Sequence, residues 1–356
     1  MTSLRFDLPA DLEAGAPPAR RDAVRLLVAE QSGVRHAHFH DLPAFLAPGD
    51  LLVVNTSATV AAAVRGRRAG GRGVTVHFST ALDDGSWLVE LRPAAASARG
   101  PLVDVAAGER VLLPDGVILT IRQPQPDDQR RLWRASIEID AAVLAYLARH
   151  GRPIRYSYVP FNHPLTDYQT VFGRDPGSAE MPSAGRPFTD RTITELVVRG
   201  IAVAPVLLHT GVSSQESGEP PLPERYAVPP QTARLVNMTR QAGGRVVAVG
   251  TTVTRALESA TGTSAQVRAS CGWTDLVLGP SRPARVVTGL ITGWHAPGAS
   301  HLQLLEAVAG ADLVQAAYAE ALAQRYHWHE FGDSCMLLPR GAQRSLKRTI
   351  PVSVGT

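Results

Sequence analysis

Short apolar runs bounded by glycine and proline organise this chain. Val246–Val249 is a four-residue β-branched run that ends at Gly250, and it predicts a buried strand. Val253, Ala256 and Leu257 then recur at helical spacing, which predicts strand, tight turn, helix across GGRVVAVGTTVTRALE. Thr251 or Thr252 is the expected helix cap. Similar runs predict strands at Val24–Ala29, Leu51–Val54, Val203–Leu208, Thr274–Leu278, Val286–Leu290 and Cys335–Leu338. Helical spacing predicts helices at 141–149, 189–199 and 230–241. It predicts a longer helical stretch over 300–325, broken near Gly310.

Between about Ala61 and Asp140 the texture changes. Short alternating runs at 74–78, 87–91, 110–113, 117–121 and 132–139 are separated by turn signals such as Asp84-Gly85 and Asp115-Gly116. This pattern predicts a small β-barrel inserted into an α/β domain, with the barrel at 61–140 and the main domain at 1–60 and 141–356. Ser213–Val228, rich in proline and polar residues, reads as a long loop.

Several predicted strands of the main domain end in polar groups: Asn55, His209, Thr251 and the pair Thr292 and His295. If these strands are parallel in one sheet, the polar ends converge on one crevice. The start of the helix after Gly250 offers backbone N–H groups at the positive end of its dipole, suited to a carboxylate or phosphate. Arg255 and Glu258 share a face of that helix. The plainer alternative is an ordinary strand-to-helix turn with an exposed Arg–Glu pair.

Composition narrows the classes. The 356 residues are 44% hydrophobic and 19% charged, as in an ordinary globular protein. The net charge is +4, with a pI of 9.4. Lys347 is the sole lysine, so the arginine excess reflects compositional bias as well as any phosphate partner. Arg65, Arg67, Arg68 and Arg72 at the entrance of the inserted segment form a candidate RNA-binding patch, against the plainer reading of a solvated face. Cys271 and Cys335 make no zinc or iron–sulfur spacing. His36, His38 and His40 alternate without a further ligand at the right spacing, so no metal is expected. No signal-peptide core and no long apolar run appears, which points to a cytoplasmic protein without a membrane span.

A family resemblance rests on motifs that run through nearly the whole chain in order. They are FDLPADLEA, PGDLLVVN, VVNTSATV (53–60), YQTVF (168–172), PSAGRPF (182–188), LLHTG (207–211), AVGTTVTRALES (248–259), LITGWHAPGAS (290–300) and FGDSCML (331–337). Together they resemble the S-adenosylmethionine:tRNA ribosyltransferase-isomerases of queuosine biosynthesis. The resemblance implies an α/β domain with an inserted β-barrel. It implies transfer of the ribosyl unit of S-adenosylmethionine, as co-substrate, to a 7-aminomethyl-7-deazaguanine in the tRNA anticodon, with loss of adenine and methionine. It implies no metal.

On that resemblance Thr251, Thr252 and the helix start would hold the methionine carboxylate or ribose hydroxyls, and Arg255 would pair with a carboxylate. Asn55, Gly211, Glu258 and Thr292 would complete the substrate site. His209 or His295 would be the general base, and Asp333 would bind a hydroxyl or orient a histidine. Tyr168, Gln169, Ser183 and Gly185 would shape the base-binding wall. The chain departs from the family pattern at Pro153–Tyr158, at Ser183–Phe188 where a histidine is absent, at His209–Gln215, at Glu224–Tyr226 and at Thr292–His295, and the altered stretches are expected on the acceptor side. Two other readings remain: an enzyme of this fold that cleaves S-adenosylmethionine with a small acceptor or none, and a non-catalytic tRNA- or nucleotide-binding protein.

Overall fold

The structure is a computed structural model that describes residues 4–94, 100–127, 130–212 and 222–339. The chain opens with β1 (Arg25–Glu30), β2 (Gly33–His38), β3 (Leu51–Asn55) and the short β4 (Ser57–Thr59). Six strands follow: β5 (Ala63–Arg67), β6 (Gly73–Ala81), β7 (Trp87–Pro93), β8 (Arg110–Leu112), β9 (Ile118–Pro124) and β10 (Leu132–Glu138). Then come α1 (Val143–His150), β11 (Asp175–Ser178), α2 (Asp190–Val198), β12 (Ala202–Leu208), β13 (Glu224–Val228) and α3 (Pro230–Gln241). The chain continues with β14 (Val246–Val249), α4 (Thr251–Ser259), β15 (Ser270–Thr274), β16 (Gly289–Thr292), α5 (His301–Ala309), α6 (Ala311–Ala323) and β17 (Ser334–Leu338).

Nine strands form one sheet in the order β15-β13-β12-β3-β14-β16-β17-β1-β2. Its centre, β12-β3-β14-β16, is parallel, with Val203 opposite Leu52, and Ala248 opposite both Val53 and Leu290. Parallel strands are covered on both faces, which is why their sequences are continuously apolar. Val246 and Ala248 enter one core layer, and Val247 and Val249 the opposite one, because side chains alternate along a strand. Val253, Ala256 and Leu257 of α4 are fully buried in the first of these layers.

β5 to β10 pair antiparallel in the ring order β10-β7-β6-β5-β8-β9, and β10 closes the ring by pairing with both β7 and β9. Val64, Val74, Val76, Val89, Leu91 and Ile121 are among the side chains filling it.

Four local expectations change. Gly250, not a threonine, caps α4; its φ of 97° lies where a side chain is strained, and no side-chain oxygen caps the helix. The strand expected at Thr274–Leu278 lies earlier, at Ser270–Thr274, where its backbone pairs with β13. The strand expected at Val286–Leu290 begins only at Gly289, because the amides of Val286 and Val287 donate to the Glu258 carboxylate at 2.9 and 3.0 Å. Of the loop expected at Ser213–Val228, positions 213–221 lie outside the described residues. Glu224–Val228 is a strand, because β12 and β15 flank it and accept its backbone pairing.

Candidate active site

The tips of β14 and β16 form one floor, and Asn55 at the tip of β3 braces it from outside the cavity lining. Asn55 ends β3, and its side chain bridges to the neighbouring strand. Its Nδ2 donates to the Leu208 carbonyl at 2.8 Å, and its Oδ1 accepts from the Leu208 amide at 3.0 Å. Nδ2 also lies 3.4 Å from Thr252 Oγ1. Gly250 lets the chain turn sharply from β14 into α4, so the first N–H groups of the helix, which have no intrahelical partner, face the strand ends. Thr292 ends β16, and its Oγ1 meets His295 Nε2 at 3.0 Å.

Over this floor lies a cavity of about 750 Å³, in the range of small-molecule sites. Gly250, Thr251, Thr252, Thr292 and Gly293 line it from the sheet, and Arg65, His77, Arg92 and Arg131 from the ring of β5 to β10. His295 and His301 stand in one wall with parallel rings. Burial holds both below the ordinary histidine range. For His295 the charges of His301 and His329 add to this, and His301 falls to about 4 with help from Arg255. Both imidazoles are therefore neutral near pH 7, the form that accepts a proton.

A model of the queuosine biosynthesis protein family matches residues 1–337. The chain belongs to that family. It is 34% identical over 349 residues to an S-adenosylmethionine:tRNA ribosyltransferase-isomerase of Symbiobacterium thermophilum, covering 95% of this chain and 99% of the relative. It is 36% identical over 345 residues to the protein of the same name from Acidiphilium cryptum, covering 93% and 97%. The crystal structure of the S-adenosylmethionine tRNA ribosyltransferase from Thermotoga maritima is similar with a TM-score of 0.51 at 27% identity, covering 94% of this chain and 99% of that one.

The family motifs divide between cavity and scaffold. Gly211, Thr251, Thr252, Arg255, Thr292, His295, Ser183 and Tyr168 line the cavity. Arg255 does so with its guanidinium already engaged, pairing with the Glu224 carboxylate and donating to the carbonyls of Leu276 and Thr274 at 3.1 and 3.2 Å. Arg255 and Glu258, the pair that the plainer reading would expose, are both buried. Glu258 faces away from Arg255 and accepts three backbone amides, from Arg285, Val286 and Val287.

Other family-motif residues hold the frame. His209 borders a separate small cavity of about 120 Å³ with Ser79, Thr80, Gly177 and Arg225, and its Nδ1 meets Ser57 Oγ at 2.7 Å. Burial lowers its pKa, and Asp175 partly opposes that. Asp333 accepts from the amides of Arg25 and His327 at 2.7 and 2.8 Å and from the Arg25 guanidinium at 3.3 Å. Gln169 pairs its amide with both backbone groups of Thr59. Gly185 closes the turn before α2, with a Cβ position only 3.2 Å from the Thr170 methyl.

Among the four entrance arginines Arg65 reaches the cavity. Arg68 is committed to Glu109 and Asp104, and Arg72 lies 3.2 Å from Asp104. His36 turns to Tyr326 and Glu320, away from His38 and His40. His38, His40 and Asp41 cluster on the surface and do not border the cavity.

Among the cavity residues His301, His329 and Glu330 carry no expectation from the sequence, while Glu224, Tyr156 and Tyr158 fall in stretches expected on the acceptor side without individual roles. The runs RYSY (155–158) and HWHE (327–330) interleave aromatic and ionisable residues in irregular chain, and that interleaving is the signal that could have found them. Arg186, in the PSAGRPF stretch, is 2% exposed. Its guanidinium donates to the carbonyls of Glu330, Phe331 and Gly332 at 2.8, 3.3 and 3.2 Å.

Proposed function

We propose that this chain is an S-adenosylmethionine:tRNA ribosyltransferase-isomerase. It would move the ribosyl moiety of S-adenosylmethionine onto the aminomethyl group of a 7-deazaguanine in the tRNA anticodon and release adenine and methionine. The observation that carries the reading is the match to enzymes of that name over more than nine-tenths of both chains. The cavity supports it, since it joins an anion-accepting helix start, neutral imidazoles and an arginine-bearing rim.

In this reading Thr251, Thr252 and the start of α4 receive the methionine carboxylate or the ribose hydroxyls. The sulfonium acidifies the adjacent 5′ carbon, and His295 is the base that takes its proton. It is preferred over His209 because it borders the cavity. Tyr168 and Ser183 belong to the base-binding wall. Arg65, with Arg152 and Arg155 on the same rim, meets tRNA phosphate. We read residues 61–140 as a β-barrel domain inserted into an α/β domain of 1–60 and 141–356. No helix among the described residues is long and apolar enough to cross a membrane, and we read the protein as cytoplasmic, where a tRNA substrate would be met. No residue of the cavity is assigned to a metal.

The test is adenine release. The protein is incubated with S-adenosylmethionine, with and without tRNA bearing the aminomethyl base. Free adenine only in the presence of that tRNA is the expected result. Adenine without tRNA would mean cleavage with another acceptor or none. No adenine in either case, with tight RNA binding, would reduce the protein to a binding module.

A further inference from the structure

One wall of the cavity combines rings with carboxylates. Tyr156 and Tyr158 lie nearly parallel, 5.9 Å apart at 22°. Tyr158 in turn stacks on His329 at 4.1 Å and 17°. The Tyr158 hydroxyl donates to Glu330 and the Tyr156 hydroxyl to Glu180. All five side chains border the cavity. So does Tyr168, which is 3% exposed and whose hydroxyl has no hydrogen-bond partner among the described residues. A buried hydroxyl without a partner is costly, and at a cavity wall it marks a place where a polar ligand atom completes the pairing.

The backbone here is held in a costly shape. His329 has a φ of 72°, in the left-handed region that non-glycine residues avoid. Arg186 secures the next three carbonyls from below, and His329 Nε2 meets Glu13 at 3.0 Å. Strain kept in place by so many bonds is a feature of ligand sites.

The chemistry of this wall is selective. Stacked rings suit a flat heterocycle. Glu330 is half-buried, and its side-chain partner among the described residues is a neutral phenol. The guanidinium of Arg186 is spent on backbone carbonyls. A carboxylate withdrawn from water in this way favours a cationic ligand group. The neighbouring carboxylates of Glu180 and Glu13 would repel the carboxylate end of S-adenosylmethionine, which the start of α4 is suited to hold.

We propose that the acceptor base stacks on the open end of the Tyr156–Tyr158–His329 ring stack, that the Tyr168 hydroxyl pairs with one of its polar atoms, and that Glu330 holds its protonated aminomethyl group. The inference rests on the ribosyltransferase reading and adds where in the cavity the acceptor sits and what recognises its amine.

Calorimetry on the full chain tests it with two free bases, 7-aminomethyl-7-deazaguanine and 7-methyl-7-deazaguanine. The wild type should prefer the amine-bearing base at least tenfold. Glu330→Gln should erase most of that preference and leave S-adenosylmethionine affinity within twofold, which also shows that the variant is folded. Tyr158→Leu should weaken both bases alike. Absence of binding by the wild type, equal affinities, or a preference that survives Glu330→Gln would each overturn the assignment. So would a Glu330→Gln variant that loses S-adenosylmethionine and keeps the amine preference. A protein that releases adenine with tRNA yet shows no amine preference keeps the enzymatic reading and loses this subsite.

Discussion

The rings of His295 and His301 lie parallel, 2° apart in tilt, with centroids separated by 4.5 Å. Burial holds both pKa values below that of an unfolded histidine, His301 at about 4. As pH falls the unfolded chain therefore takes up protons first. The stability contribution is complete above pH about 6.5 and is lost as pH falls toward 4. For His301 the loss is at most about 3 kcal/mol, and less in practice because the ring borders an open cavity. Denaturant midpoints at pH 7.5 and 5.0 should diverge in the wild type, and the gap should narrow in His301→Asn. Equal gaps in the two proteins would remove this pair as the source.

Arg255, buried, and Glu224, half-buried, form an ion pair in the cavity wall. Arg255→Ala leaves the Glu224 charge without its partner, together with the carbonyls of Leu276 and Thr274. The expected cost is about 3–5 kcal/mol of stability. Arg255→Met with Glu224→Met should recover much of it, since removing both charges avoids an unpaired one. A double-mutant cycle from chemical denaturation measures the coupling. Additive losses would show that the two side chains do not act as a pair.

Arg186 is expected to matter through position. Arg186→Met leaves three carbonyls of the 330–332 turn without their donor, at about 1–3 kcal/mol for each one left unsatisfied. Burial brings its own pKa down to about 10, still high enough to keep it charged at neutral pH. Thermal denaturation should show the loss, and the KM for modified tRNA should rise more than the KM for S-adenosylmethionine. A rise confined to S-adenosylmethionine would contradict the placement of the acceptor beside this turn.

Gly250 sits at φ 97° and ψ 159°, a region closed to side chains, and a Cβ there would lie 3.4 Å from that of Ala184. Gly250→Ala should cost about 1–3 kcal/mol. It should also weaken S-adenosylmethionine binding, because the start of α4 would tilt. Unchanged affinity measured by calorimetry would detach the turn from the ligand.

The strands were legible because their cause is local. Val246–Val249 and Leu51–Val54 are apolar, rich in valine and bounded by turn or polar residues, and any sheet that buries both faces wants such runs. Elsewhere a local rule lost to a distant partner. Val286 and Val287 look like strand, but Glu258 captures their amides. Glu224–Val228 reads as loop by composition, yet two neighbouring strands supply its pairing.

What the amino-acid sequence determined by itself is the alternation of buried strands and helices, the glycine turn after β14, and the family that the ordered motifs share. Only the tertiary structure decided which polar residues meet. His209 follows its strand end much as Thr292 ends its own, but His209 pairs with Ser57, 152 positions away, and lies outside the main cavity that Thr292 lines. Arg186 finds the turn at Glu330 across 144 positions. Strand formation follows from the preferences of neighbouring residues, whereas a hydrogen-bonded site depends on which distant segments the sheet order brings side by side.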